Sequence, residues 1–318
     1  MKNKNSAFND PCVLFAYIIV CILWGSTYLA IRVGVSDLPP GLFAGIRFII
    51  AGLILLAFAK IRGYKNVPGR RDIVNSAIVG LFLLYGGNGL VVWSEQWLAS
   101  SLAALLIATV PLFVALIDTV VPGGTSIGWL GWAGLLTGFS GVALLMAPGI
   151  ELGGTQLTGL IAILMAAFLW ASGSVFSSRK PTSCSIIYSI AIQFLAAGIA
   201  LSTTGLLAGE LPRFHLTKAG IGAMLYLIFF GSLAGYSAYI YILKAMPPAK
   251  ASTYAYVNPV VAVLLGYLIL KEQVTLLTVI SAAIILGGVL LVQMSRAKAP
   301  VESPGTDTDK LTTVSKSA

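Results

Sequence analysis

Charge is what this 318-residue chain has least of. Only 10% of it is Asp, Glu, Lys or Arg, against 58% hydrophobic residues. Soluble domains keep about a quarter of their residues charged, so a surface facing water on all sides is excluded. The mean hydropathy of +0.93 assigns most of the exterior to lipid. Histidine is almost missing, and the single His215 falls in a short polar loop, where it reads as a solvated side chain and not a metal ligand or general base. The three cysteines, Cys12, Cys21 and Cys184, are odd in number and lack CxxC spacing, so neither a disulfide nor a metal site is implied. No G-x-x-x-x-G-K-[ST], H-E-x-x-H or G-x-S-x-G motif occurs, so ATP hydrolysis, zinc peptidase chemistry and a serine nucleophile have no carrier. Neither catalysis nor a cofactor is expected.

The net charge of +9 does not indicate nucleic acid, because the basic residues lie between apolar runs. Cutting the chain at charges, prolines and polar clusters leaves ten runs of membrane-spanning length. They lie near residues 12–34, 40–60, 72–94, 97–120, 127–147, 156–178, 184–206, 217–241, 248–270 and 275–295. The fold class expected is therefore an all-α membrane protein of ten transmembrane helices. Placing both termini in the cytoplasm gathers 15 of the 20 Lys and Arg residues inside, among them Lys60, Arg62, Lys65, Arg70 and Arg71. Lys2 and Lys4 ahead of an apolar stretch imitate a signal peptide. Asp10 and Pro11 interrupt it and no cleavage site follows, so residues 1–11 are read as a retained cytoplasmic N-terminus. Residues 296–318, rich in Ser, Thr, Pro, Lys and Asp, are read as a disordered cytoplasmic tail.

The two halves resemble each other. Trp24 matches Trp170, Arg47-Phe48 matches Gln193-Phe194, Gly87 matches Gly235, Pro111 matches Pro259, and Gly141-Val142 matches Gly288-Val289, at offsets of 146 to 148. The organisation expected is a first repeat over 12–147, a linker over 148–155 and a second repeat over 156–295. Five helices per half is an odd number, so the repeats are inverted. Inverted repeats place a binding site near the midplane at their interface and support alternating access.

Polar residues inside spans select the candidate cavity. Trp24, Thr27 and Tyr28 share one face of the first helix, and Trp170 and Ser174 share one on the sixth; close helix packing through Gly25 and Ser26 is the alternative. Arg47 is costly within a span, at about 2.5–3.5 kcal/mol on an insertion scale. It reads either as a fork for a substrate carboxylate or as a structural group that snorkels or pairs with Asp37 or a backbone carbonyl. Pro111 and Pro259 each remove a helical hydrogen bond, to the carbonyls of Ile107 and Ala255, which predicts kinks or hinges. Tyr254 and Asn258 share a face beside Pro259. Ser232, Tyr236 and Tyr239 on the eighth helix and Tyr85 and Asn88 on the third complete an aromatic cavity suited to an amphipathic molecule; an interfacial belt is the alternative for the tyrosines near Lys244. Gly41 with Gly45, Gly134 with Gly138 and Gly231 with Gly235 read as packing sites. Glu95, Asp118 and Glu272 all fall near helix ends, which leaves the driving force open.

Trp24-Gly25-Ser26-Thr27-Tyr28, Leu38-Pro39-Pro40 and Ala44-Gly45-Ile46-Arg47-Phe48 resemble the opening of EamA-type members of the drug/metabolite transporter superfamily. Ala251 to Pro259, Leu270-Lys271-Glu272 and Gly287-Gly288-Val289 resemble the end of that family's second repeat, so the likeness spans about residues 12–295. It implies two inverted EamA repeats, a bacterial inner-membrane location and secondary export of amino acids, other metabolites or toxic amphipathic compounds through a central cavity. The first repeat departs from the pattern, having Ile117-Asp118 and then Pro122-Gly123-Gly124 where the second has Leu270-Lys271-Glu272. The partners this reading calls for are a small-molecule substrate and the lipid bilayer, with a coupling proton left open and the chain acting as a monomer or homodimer. A cargo-free structural membrane protein and a facilitator or nucleotide-sugar-type carrier are the competing readings.

Overall fold

Apolar runs of about 20 residues can satisfy their backbone groups in lipid only by becoming helices, and among the described residues ten do so. The computed structural model describes residues 10–297 apart from 123, 125, 126 and 153. Its spans are α1 (Pro11–Asp37), α2 (Pro40–Ile61), α3 (Arg70–Ser94), α4 (Ser100–Val120), α5 (Trp129–Pro148), α6 (Gly154–Arg179), α7 (Ile186–Leu207), α8 (Lys218–Ala245), α9 (Ser252–Leu270) and α10 (Leu276–Ser295). No strand occurs among the described residues. The helical backbone of α5 continues to Leu152, so most of the linker expected at 148–155 is itself helical. The N-terminal segment before Asp10 and the tail beyond Ala297 lie outside the described residues.

Each helix packs on the other repeat as the counterpart of its own position does. α2 runs along α7 and α5 along α10, while α1 packs on α8 and α9, and α6 correspondingly packs on α3 and α4. Small residues make the α2–α7 and α5–α10 approaches. A Cβ at Gly45 would lie 2.6 Å from the Ser202 amide, and one at Gly288 would lie 2.3 Å from the Gly138 amide and 2.6 Å from the Gly134 carbonyl. Gly41, Gly45, Gly134 and Gly138 thus act as packing sites, as their spacing predicted. Phe15, Leu136, Ile161, Val260 and Leu268 point outward, the apolar exterior that lipid requires.

Two kinds of irregularity shape the interior. α4 breaks at Ala108–Thr109, just before Pro111, and α9 enters Pro259 from a 3-10 turn over Ser252–Tyr256. The missing proline N–H is the common cause. α3 and α8 each carry a wide π-helical stretch, Leu81–Asn88 and Leu227–Tyr236, at matching places in the two repeats. Such widenings re-aim side chains and favour functional positions.

Antiparallel alternation puts Ile61, Arg70, Arg179, Ala245 and Lys250 at one end of the bundle, hereafter the basic end. Carboxylates clamp both ends. Glu210 accepts the Gly41 and Leu42 amides at the start of α2 (3.1 and 2.8 Å). Its counterpart Asp72, at the basic end, accepts the amide and hydroxyl of Ser183 ahead of α7 (2.9 and 2.8 Å). Glu272 accepts the amides and hydroxyls of both Ser100 and Ser101 at the start of α4, at 2.6 to 3.1 Å. In the first repeat Asp118 pairs with Arg179 at 3.0 Å. The Leu270-Lys271-Glu272 run therefore has a structural use. Lys271 takes a left-handed conformation (φ 54°) that turns the chain back, and Glu272 reaches the positive end of the α4 dipole.

Burial pushes the Glu272 carboxyl up, but the Ser101 and Ser100 hydroxyls and amides outweigh it and hold the group below the usual glutamate value. A carboxyl depressed in the folded state stabilises fully at neutral pH and loses that contribution as pH falls through its folded value. Glu272→Gln is expected to lower the thermal midpoint at pH 7, with the difference closing below about pH 4. A midpoint difference independent of pH would contradict this. A second outcome follows from the α5–α10 contact. Gly288→Ala should cost about 1–3 kcal/mol by overpacking, whereas Gly287→Ala, with nothing within 4 Å of its Cβ, should be near neutral in the same detergent melting assay.

Candidate functional site

The site is built from the helix faces that the sequence marked. Trp24 stands on α1 and Trp170 on the matching turn of α6, and their rings meet edge to face at 5.2 Å between centroids. Each indole lies on a glycine of the other repeat. A Cβ at Gly235 would come 2.5 Å from Trp24 Nε1, and one at Gly87 would come 2.9 Å from Trp170 Cε3. The Trp24 ring also meets Tyr239 at 5.1 Å and Tyr254 at 5.0 Å. Trp24 Nε1 donates to the Gly231 carbonyl at 3.1 Å, and Trp170 Nε1 to the Tyr239 hydroxyl at 3.2 Å. The tyrosine rings and indoles thereby form a cluster in the half of the bundle nearer the basic end.

Toward the opposite end the cavity turns polar on one side only. Arg47, 2% exposed, donates from Nη2 to Asn88 Oδ1 at 2.5 Å and lies with its guanidinium carbon 4.3 Å from the Phe48 ring centroid. The same position in the second repeat is Gln193, which accepts the Tyr236 hydroxyl at 2.5 Å. Phe48 and Phe194 stack at 5.6 Å between these pairs. The pairs are related by the repeat, α2 to α3 in one half and α7 to α8 in the other, yet only the first carries a charge. No carboxylate lies within 4.0 Å of Arg47 among the described residues, and its Nε finds no acceptor. Asp37, one partner considered from the sequence, instead accepts from the Thr217 hydroxyl.

Trp24, Trp170, Tyr236, Tyr254, Arg47 and Asn88 stand around a central cavity of about 60 Å³, with Gln193 behind Tyr236 outside the lining. That is room for a few waters, since one needs roughly 10–15 Å³ by this measure, and far below the roughly 300–1,000 Å³ of a pocket for an organic ligand. A second void of about 640 Å³ opens at the end opposite the basic one, lined by Arg32, Ser36, Trp97, Gln156, Glu272 and Thr278 among others.

Of the residues singled out in the sequence, Trp24, Thr27, Tyr28, Arg47, Asn88, Trp170, Tyr236 and Tyr254 line the central cavity. Ser174 and Tyr239 stand just behind it, joined by a 2.6 Å hydrogen bond, and orient Trp170 from the rear. Asn258 is buried beside the Tyr28 hydroxyl, outside the cavity lining. Tyr85 does not reach the cavity. It lies on the bundle exterior, 3.2 Å from the Thr204 hydroxyl, because the π-helical widening of α3 separates its direction from that of Asn88. Pro111 and Pro259 mark the helix breaks outside the lining. Phe48, marked in the sequence by its repeat match with Phe194, also lines the wall, together with Ile31, Leu84 and Leu227, apolar side chains with no sequence mark to separate them from core.

Comparison with known proteins agrees with this architecture. The profile of the EamA-like transporter family matches twice, over residues 11–147 and 157–294. The inner membrane transporter YedA of Escherichia coli K12 is 39% identical over 288 residues, covering 90% of this chain and 92% of YedA. The transporter YoaV of Bacillus subtilis is 24% identical, with 88% of this chain and 96% of YoaV aligned. A solved crystal structure at 21% identity superposes with a TM-score of 0.66 over 90% of this chain and 98% of the other, which shows the fold. With both halves matched by one family profile, ten membrane-length helices among the described residues and an inner-membrane relative aligned along nine-tenths of its length, the chain is a multi-pass inner-membrane protein that belongs to the EamA-like transporter family.

Proposed function

We propose that this protein is a secondary exporter of small amphipathic molecules that carry a carboxylate, aromatic amino acids being the nearest class. Arg47 carries the proposal. A guanidinium buried in a membrane-embedded cavity without an anionic partner is expensive, and its cost is offset when a carboxylate enters and takes its free donors in a bidentate contact. The indole and tyrosine rings beside it suit an apolar or aromatic body on the same molecule. The charge-free counterpart at Gln193 makes recognition one-sided, so a bound solute has a defined orientation.

A cavity of about 60 Å³ cannot hold such a solute, so loading requires movement. The breaks at Pro111 and Pro259 and the π-helical stretches of α3 and α8 are the segments able to absorb it, with the helices rearranging about the central indole pair. The basic end faces the cytoplasm in this reading, following the excess of Lys and Arg at that end. The conformation described then has its larger void toward the outside and the aromatic cluster closed toward the cytoplasm. With no nucleotide-binding loop in the sequence, an ion or solute gradient supplies the energy.

Counterflow in proteoliposomes preloaded with unlabelled L-phenylalanine tests the proposal. The wild type should accumulate labelled L-phenylalanine transiently and discriminate against its carboxamide. Arg47→Lys should weaken apparent affinity by roughly ten- to a hundredfold, the loss of a charge-assisted bidentate contact of about 1.5–3 kcal/mol. Counterflow of equal affinity in Arg47→Lys and Arg47→Gln at matched protein levels would remove Arg47 from recognition.

A further inference from the structure

Glu95, immediately after the end of α3, is fully buried, and neither oxygen of its carboxyl has a hydrogen-bond partner. Among the described residues at this end, Glu210 is occupied by the start of α2, Glu272 by the start of α4 and Asp37 by the Thr217 hydroxyl. Glu95 itself lines neither void, but Val91, one turn back on α3, lines the central one, and Arg32, bonded to the Glu95 backbone carbonyl, lines the larger one. Asn88, Val91 and Glu95 succeed one another along one face of α3, and the first two line the central cavity. On α1, Tyr28 lines the cavity and Arg32, one turn on, lines the larger void. The Arg32 guanidinium donates to the backbone carbonyl of Glu95 and leaves the carboxyl unpaired. Glu272, from the loop ahead of α10, lines the same void. Tyr28 and Arg32 from α1 and Glu272 from that loop are the titratable or charged groups that act on Glu95.

No hydrogen bond holds an ionised carboxylate at this position. Burial raises the Glu95 carboxyl well above the ordinary glutamate range, the Arg32 cation opposes this and the Glu272 anion adds to it. We propose that Glu95 is a proton-carrying site whose carboxyl takes up one proton from the larger void and releases it after the helices rearrange, coupling inward proton movement to outward passage of the solute. The carboxyl O–H forms as an O–H bond of hydronium in the larger void breaks, and release passes the same proton back to water on the other side. Water in the larger void delivers the proton, the acid is neutral while buried, and on release the carboxylate is left where Arg32 can turn to it. The coupling role rests on the export function proposed above; the protonation itself does not.

Two measurements separate them. Infrared titration of the purified protein follows the carboxylic C=O stretch without any solute. The expected result is a protonated carboxyl that persists well above the ordinary glutamate value of about 4.3 and is missing in Glu95→Gln. Spectra of wild type and Glu95→Gln that coincide at every pH would overturn the proposal. In proteoliposomes, the ratio of pH-gradient-driven accumulation of labelled L-phenylalanine to its counterflow should fall by about tenfold in Glu95→Gln, within the usual range of coupling between two sites. Glu95→Asp, which keeps a titratable group, should retain gradient-driven accumulation and serves if the glutamine variant does not fold. An undiminished ratio in Glu95→Gln, or a wild type with counterflow and no response to pH, would overturn the coupling. Absence of L-phenylalanine counterflow in the wild type would count against the export function instead, and the infrared titration would still decide whether Glu95 holds a proton.

Discussion

The centre of this protein depends on two indole rings, each seated on the glycine of the opposite repeat. Trp24 needs the absence of a side chain at Gly235, and Trp170 needs it at Gly87. The indoles can meet at 5.2 Å only when both conditions hold. The exchange ties the repeats together where a bilayer offers no hydrophobic drive between helices, since lipid is as apolar as the side chains. Close packing and satisfied polar groups must do it. The π-helical stretches of α3 and α8 present those glycines inward, and the cluster of Tyr236, Tyr239 and Tyr254 rings is assembled around the indole pair.

Symmetry explains the scaffold and its breaking explains the chemistry. α2 with α7, α5 with α10, and the Glu210 and Asp72 clamps at opposite ends repeat one design twice. The central cavity does not. Arg47 bonded to Asn88 in one repeat has as its counterpart Gln193 bonded to Tyr236 in the other, so a charged pair answers to a neutral one. A symmetric cavity would bind a solute in two equivalent orientations, whereas this one has a single cation at one side of an aromatic wall. The ends differ likewise, with Glu272 bound to the start of α4 while Asp118 pairs with Arg179. Glu95 belongs to the same asymmetry, a buried carboxyl one turn on from Val91 in the central cavity's lining.

Much of this was determined by the sequence alone. Ten apolar runs could become only helices in lipid, because no other single-segment structure satisfies every backbone group there. The near-constant offset between Trp24 and Trp170, Gly87 and Gly235, and Pro111 and Pro259 implied two repeats of odd helix number. The face shared by Trp24, Thr27 and Tyr28 and the cost of Arg47 marked the cavity, since helical spacing and charge in hydrocarbon are local properties legible without a fold. Tertiary structure decided the rest. Tyr85 points outward because a π-helical widening, invisible in residue spacing, changes the direction of its side chain. Glu272 became a helix clamp once Lys271 turned the chain back. Glu95, which the sequence showed only as one acid near a helix end, is distinguished by a buried carboxyl that no hydrogen-bond donor meets. Whether a polar group is partnered depends on residues far away in the chain, and that is what the sequence could not display.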